Sequence, residues 1–245
     1  MKNIGIIGAG QIGSALARKF STLGHNVKIA NSRGPKTIEV LAKEIGAVAV
    51  SIHEAVQDVD IVVIAIPQKS IENLPIDLFE NAPKQLIIVD TGNYYPLRDG
   101  NIEALDAGLP ESEWVATHLK RPVLKAFNSI GVHPLADDGK PKGDSERIAL
   151  LVSGDDNNAK EEIIKLFDAL GFDGVDAGSL SESWRQQPGS PVYCTNHGKE
   201  ELIRLLPLTD KSKLAEMRDI GLELVMKAKE PFKEAETILR NLYPI

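Results

Sequence analysis

The run Asn3-Ile4-Gly5-Ile6-Ile7-Gly8-Ala9-Gly10-Gln11-Ile12-Gly13-Ser14-Ala15-Leu16-Ala17 constrains this chain more than any other. It reads as a short apolar strand, a glycine turn and the opening of a helix. Gly8 permits the tight turn out of the strand. Gly10 carries no side chain, so a pyrophosphate can approach the backbone. Gly13 lets the helix pack close to the strand. The first helical turn, with Gln11 and Ile12, offers N–H groups and the positive end of the helix dipole to phosphates. A strand–helix turn without a ligand is the plain alternative. The motif's setting, directly after a strand pattern and before a helix pattern, argues against it.

A second stretch indicates which dinucleotide. His25 to Ala30 reads as the second strand, and it ends in Asn31-Ser32-Arg33. Sites for NAD usually carry Asp or Glu here to bind the ribose 2′-hydroxyl, and a carboxylate would repel a 2′-phosphate. No acid is present. Arg33 can take a phosphate by a forked, charge-assisted contact. Asn31 and Ser32 can add hydrogen bonds, and Lys36 lies close behind. The two stretches together predict NADP(H) rather than NAD. A solvated basic turn is the competing explanation.

The formal net charge of −7 over 245 residues leaves no broad basic field for nucleic acid. Phosphate binding must therefore be local, as at Arg33. A hydrophobic content of 42% suits a globular core. The single cysteine, Cys194, excludes an intrachain disulfide and fits a reducing cytosol. The chain opens directly into a strand pattern without a leader. Apolar runs such as Ile61 to Ile66 are too short to span a bilayer and read as buried strands of a parallel sheet. A cytoplasmic protein without membrane attachment is expected.

Strands and helices alternate through the first half. Helices are expected over Gln11 to Thr22 and from Pro35 to about Ile45. Strands are expected over 47–50, 61–66, 86–89, 123–127, 147–153 and 172–176. Asn157 is the expected cap of a helix reaching Leu170, and Ser179 to Asn196 reads as loop. Lys199 to Leu206 and Lys211 to Leu242 read as helical, the latter with an apolar stripe of Leu214, Met217, Leu222, Val225 and Met226. The pattern predicts an α/β fold, a Rossmann-type doubly wound and mainly parallel sheet with additional C-terminal strands and helices. Residues 1–178 should form the NADP-binding domain with its extra strands, and 179–245 a loop and helical extension packed on it. Ligands of such sheets bind beyond the carboxyl ends of the strands. This directs attention to Ile66-Pro67-Gln68, Thr91-Gly92-Asn93 and Asn128-Ser129-Ile130, where the nicotinamide half should pass.

The stretches Gly8 to Gly13, Asn31 to Arg33, Val123 to Ile130 and Ser153-Gly154-Asp155-Asp156, with Leu170-Gly171-Phe172 and Val175 to Gly178, resemble the NADPH-dependent oxidoreductases of the coenzyme F420 type. The last two sets are also similar to the cytosolic reductase domain of STEAP metalloreductases. The resemblance runs over about residues 1–180. It implies hydride transfer between the nicotinamide and a deazaflavin or flavin acceptor, with Ser32 and Arg33 on the 2′-phosphate and Asn128-Ser129-Ile130 near the nicotinamide. It also suggests a homodimer. The segment Gln186 to Cys194 and the tail beyond it depart from the shorter deazaflavin enzymes.

Hydride transfer between two rings needs little from side chains, because the cofactor supplies the reactive carbon. The protein holds the rings at near-attack distance and excludes water. No catalytic residue is nominated. His118 and His133 are proton-donor candidates, with ordinary hydrogen bonding as the alternative role. Cys194 and His197 fall short of any zinc pattern, and no metal site is expected. Trp184 and Tyr193 could wall a flat acceptor or anchor their loop to the core. Two other functions fit the opening motif: a hydroxy-acid dehydrogenase or imine (pyrroline-carboxylate) reductase, and a non-catalytic NADPH sensor. Reductases of the former kind usually follow the motif with a long helical dimerisation domain, for which too few residues remain.

Overall fold

The structure, a computed structural model, describes residues 1–243 and divides into two compact units, Met1–Lys125 and Ala126 onward. The sequence-based division at 178 differs from this one. Within unit 1 the strands β1 (Asn3–Ile7), β2 (Asn26–Ala30), β3 (Val48–Ala49), β4 (Ile61–Ile64), β5 (Ile87–Asp90) and β6 (Leu124–Ala126, its last residue opening unit 2) lie in the order β3-β2-β1-β4-β5-β6. Every pairing is parallel. This is the doubly wound Rossmann order, with the reversal of winding between β1 and β4.

The fold follows from burial. Ile4, Ile6, Ile29 and Ile61 to Ile64 are sealed from solvent, as strands covered on both faces require. Helix α1 (Gln11–Thr22) covers one face with Leu16, Ala17 and Phe20. The register aligns the carboxyl ends of the strands: Ala30, Ile7, Ile64, Asp90 and Lys125 stand in one row.

Several boundaries differ from expectation. The helix expected from Pro35 is a 3-10 turn, Pro35–Thr37, followed after Ile38 (φ −129°) by the short helix α2 (Glu39–Glu44). Strand β4 stops at Ile64, two residues before the expected end; Ala65 still donates to the Ile7 carbonyl at 2.8 Å before the chain turns toward Pro67. Between β5 and β6 lie the helices α3 (Pro96–Asp99), α4 (Glu103–Asp106) and α5 (Glu111–Leu119), which no pattern in the sequence announced.

Unit 2 holds α6 (Val132–Asp137), β7 (Ala149–Ser153), α7 (Asn157–Leu170), β8 (Asp173–Asp176), α8 (Lys199–Leu205), α9 (Leu214–Lys227) and α10 (Pro231–Asn241). Strands β7 and β8 pair in parallel. The cap of α7 is Asp156, whose carboxylate accepts from the Ala159 N–H at 3.0 Å, and not Asn157. Leu180–Gln186 is a 3-10 helix within the expected loop. The long helix expected over Lys211 to Leu242 is broken at 228–230, where Pro231 starts a new helix. Of the expected stripe on α9, Leu214 is buried, Met217, Leu222 and Val225 are half-buried, and Met226 is exposed. Phe127 opens unit 2 with a left-handed backbone (φ 59°), its buried ring set edge-on against Phe167 with centroids 4.9 Å apart.

Candidate dinucleotide site and its polar floor

The glycine turn shows a division of labour. Gly8 has φ 119°, and a Cβ placed on it would stand 2.1 Å from the Ala65 carbonyl oxygen. A Cβ on Gly13 would stand 1.9 Å from the Gly8 carbonyl oxygen. These two glycines let the strand, the helix and the β4 exit close on one another. Gly10 is different. It is exposed, and a Cβ there would meet no atom within 4 Å. The protein's own packing therefore does not require glycine at this position, and the open space leaves the backbone accessible to an approaching group. Gly10 caps α1 with no side-chain acceptor, and Ser14 makes the first helical bond to its carbonyl. The N–H groups of the first turn, Gln11, Ile12 and Gly13, have no i−4 carbonyl in the helix to bond. Gln11 is exposed, Ile12 half-buried and Gly13 buried.

Gly8 donates to the carbonyl of Ala30 at 2.8 Å, so the glycine turn and the exit of β2 are neighbours. There Asn31 organises its own loop. Its Oδ1 accepts from the Arg33 N–H at 3.1 Å, and its Nδ2 donates to Thr37 Oγ1 at 2.9 Å. Gly34 completes the turn at φ 88°. Ser32, Arg33 and Lys36 are exposed, and among the described residues no carboxylate forms an ion pair with Arg33 or Lys36. The exit of β4 adds half-buried Ile66, whose Cγ2 would be 3.0 Å from a Cβ on Gly8, and exposed Pro67. Gly8, Gly10, Gln11, Ile12, Gly13, Asn31, Ser32, Arg33, Ile66 and Pro67 thus gather at adjacent strand exits within unit 1.

Asn128 and Ser129 follow β6 directly and are buried in unit 2. The Asn128 side chain is engaged at both ends with Gln186: Nδ2 donates to the Gln186 carbonyl at 2.7 Å, and Oδ1 accepts from Gln186 Nε2 at 2.9 Å. Gln186 Oε1 accepts in turn from Ser153 at 3.0 Å, and the Ser129 carbonyl accepts from the Cys194 N–H at 3.0 Å. The segment Gln186 to Cys194 is therefore fastened to the residues after β6.

The histidines do not converge with these groups. His118 lies near the end of α5, its Nδ1 on the Trp114 carbonyl at 2.8 Å and its Nε2 3.7 Å from Glu72. It borders a groove of about 290 Å³ with Ile71, Leu74, Ile76 and Phe79. His133 is exposed and stacks edge-on with Phe232 at 5.6 Å. Burial pushes the Cys194 thiol up to about 12, so it carries almost no thiolate at neutral pH. Among the described residues no group of three or more His, Cys, Asp or Glu is placed to hold a metal ion. Trp184 is half-buried, with the Arg185 guanidinium 4.3 Å and the Lys211 ammonium 5.6 Å from its ring centre.

Sequence reasoning missed the polar floor beneath the row of strand exits. Lys125, on β6, is fully buried; its Nζ donates to Glu111 Oε2 and to the Gly92 carbonyl, each at 3.0 Å. Glu111 Oε1 accepts from the Tyr94 N–H at 3.1 Å. Asp90 accepts from the Gly92 N–H at 2.8 Å and from Ser112 at 2.7 Å. Gln68 Nε2 donates to the Glu111 carbonyl at 3.3 Å. Burial raises the Glu111 carboxyl, while Lys125 and the Tyr94 N–H pull the other way. The available signal was a lysine inside the otherwise apolar run Val123 to Phe127. A cation there has to find a buried partner.

A doubly wound parallel sheet with a glycine turn at its switch point is the Rossmann-type fold. Residues 3–94 match the family model described as NADP oxidoreductase coenzyme F420-dependent. A hypothetical protein of Sinorhizobium meliloti, SMa0349, is 33% identical in its crystal structure, with a TM-score of 0.68 over 81% of this chain and 96% of that one. A proposed F420-dependent NADP reductase from Arthrobacter sp. FB24 shares the fold at 23% identity and a TM-score of 0.58, over 75% of this chain and 87% of that one. The Escherichia coli K12 protein YjhV is 37% identical over 95 residues, 39% of this chain. The rat metalloreductase STEAP3 is 28% identical over 181 residues, 74% of this chain. The chain spans 62% of the length of YjhV and 34% of that of STEAP3. Among the described residues no helix is long and apolar enough to cross a membrane.

Proposed function

We propose that this protein is an NADPH-dependent oxidoreductase that passes hydride between the nicotinamide and a deazaflavin or flavin acceptor. The observation that carries the nucleotide assignment is Arg33, a guanidinium at the exit of β2 with no ion pair among the described residues, in the position where an NAD site would hold a carboxylate. Arg33, with Ser32, Asn31 and Lys36, takes the 2′-phosphate. The first turn of α1, from Gly10 to Gly13, takes the pyrophosphate. Ile66 and Pro67 line the path toward the nicotinamide. When bound, the cofactor supplies the transferable hydride; the chain's work is to bind, orient and exclude water. The acceptor assignment is supported by the family model and by the Arthrobacter neighbour. Residues 1–178 form the functional NADP domain in this proposal, with 179–245 as its extension. The protein acts in the cytoplasm, as a homodimer supported by the exposed apolar side chains Leu224, Met226 and Phe232 of α9 and α10.

The test pairs a variant with a screen. Arg33→Ala should weaken NADPH binding by ~1–3 kcal/mol, the worth of a charge-assisted phosphate contact, and leave NADH binding unchanged. Equal loss for both nucleotides contradicts the assignment. The wild-type protein should oxidise NADPH with an oxidised deazaflavin or flavin. Binding without turnover across both classes would instead favour a sensor.

A further inference from the structure

The buried Glu111–Lys125 pair grips both neighbours of a single residue. Lys125 Nζ holds the Gly92 carbonyl at 3.0 Å, and Glu111 Oε1 holds the Tyr94 N–H at 3.1 Å. The residue between them is Asn93, the only one from Thr91 to Tyr94 that is not buried. Two more ties act on the same short segment: Asp90 accepts from the Gly92 N–H, and Arg98 Nη2 donates to the Asn93 carbonyl at 2.5 Å. Gly92 itself has no room for a side chain, since a Cβ would stand 2.7 Å from Gln68 Oε1 and 2.8 Å from Asp90 Oδ1.

Stability alone is a weak reason to keep such a pair. Apolar residues of similar size in place of a buried ion pair usually leave a fold as stable or more so. What the pair supplies here is geometry. Its bonds are directional, and they fix the backbone at the exit of β5, one step beyond the row in which Asp90 and Lys125 stand side by side. Hydride transfer is sensitive to such placement, because a displacement of about 1 Å can cost on the order of a hundredfold in rate.

We propose that Glu111 and Lys125 are positioning residues that lock the Gly92–Tyr94 segment so that the Asn93 side chain meets the nicotinamide ring or the acceptor stacked on it. This rests on the proposed nucleotide site, in which the nicotinamide lies over the carboxyl ends of the central strands.

The test is the double variant Glu111→Met with Lys125→Met, which removes both charges together and leaves neither unpaired. It should still fold, with a lowered melting temperature, because the buried Gly92 carbonyl and Tyr94 N–H lose their partners. NADPH affinity should stay within about threefold, because the phosphates are held elsewhere, while kcat falls by about 10- to 100-fold. Amide exchange at Tyr94 should quicken, and the fluorescence of bound NADPH, which reports the surroundings of the nicotinamide, should shift from that of the wild type. Asn93→Ala, at a half-buried site, should lower kcat or raise the acceptor KM at unchanged NADPH affinity. A double variant with wild-type kcat and wild-type Tyr94 exchange overturns the proposal. If the double variant does not fold, wild-type kinetics in Asn93→Ala overturns it. If no acceptor supports turnover in the wild type, the acceptor assignment fails separately, and unchanged NADPH fluorescence in both variants overturns the positioning role. Failure of the 2′-phosphate assignment would show instead in Arg33→Ala, which leaves Tyr94 exchange untouched.

Discussion

Gly10 and Gly13 sit three residues apart in one motif, yet substitution should damage them in opposite ways. At Gly10 the backbone is extended (φ −81°, ψ −169°), a conformation open to any residue, and an added Cβ finds no neighbour within 4 Å. Gly10→Ala and Gly10→Val therefore cost the empty protein little. Restricting the unfolded chain returns ~0.4–1 kcal/mol, and a poorer helix cap removes a similar ~0.5–1 kcal/mol. The melting temperature should stay within about 3 °C of wild type. The space those side chains enter is the space proposed for the pyrophosphate. Loss of its backbone contacts should weaken NADPH binding by ~1.4–2.8 kcal/mol, 10- to 100-fold, with valine worse than alanine. At Gly13 the added carbon would lie 1.9 Å from the Gly8 carbonyl oxygen, so the helix has to move away from the strand. Overpacking of this kind costs ~1–3 kcal/mol or more, which lowers the melting temperature before any ligand is added. Thermal melts without nucleotide and fluorescence titrations with NADPH separate the two effects. Wild-type NADPH affinity in Gly10→Val would refute the proposed path of the pyrophosphate. A melting temperature as low as that of Gly13→Ala would refute the claim that the space is free.

Two further predictions concern unit 2. Cys194, its thiol pushed up to about 12 by burial, should resist iodoacetamide in the folded protein at pH 8 and react promptly in denaturant; rapid labelling of the native protein would contradict this. The hydrogen bond from Arg147 to Asp168, at 2.8 Å, holds the Asp168 carboxyl below its ordinary 3.8. A carboxyl depressed in the folded state contributes stability that is complete above the unfolded value and is lost as pH falls through the folded one. Asp168→Asn should therefore lower the melting temperature at pH 7 and flatten its decline below about pH 4; parallel curves for variant and wild type would show that the pair contributes nothing.

What the sequence made legible and what it hid follow from the range of the interactions involved. The glycine turn, the exit of β2 and the central strands are local patterns: a few residues with a fixed backbone requirement, or a run apolar enough to be buried on both faces. The break before α10 was missed: Pro231 marks it, but the apolar spacing on either side reads as one continuous helix. Helices α3 to α5 were missed as well. They are short, and α5 buries Glu111 and Ser112 alongside Trp114 and Val115, so its inward face is not an apolar stripe. The polar floor was hidden for the same reason. Glu111 is 14 residues from Lys125, Gln68 is 43 from Glu111, and Asp90 is 22 from Ser112. Only the folded sheet brings these partners into one row. The Asn128–Gln186 contact, 58 residues apart, likewise depends on tertiary structure.

Phe127 joins two scales of the molecule. A left-handed backbone at an aromatic residue costs ~1–2 kcal/mol, and the chain accepts it here because the ring is locked against Phe167. The direction in which the chain leaves β6 is thus dictated from within, by two interlocked rings, and the residues it leads into, Asn128 to Ile130, are themselves buried. Rewriting 186–194 would remove the Gln186 contacts on Asn128 and leave that steering intact, whereas replacing either phenylalanine would disturb the approach to Asn128 without touching a single exposed residue.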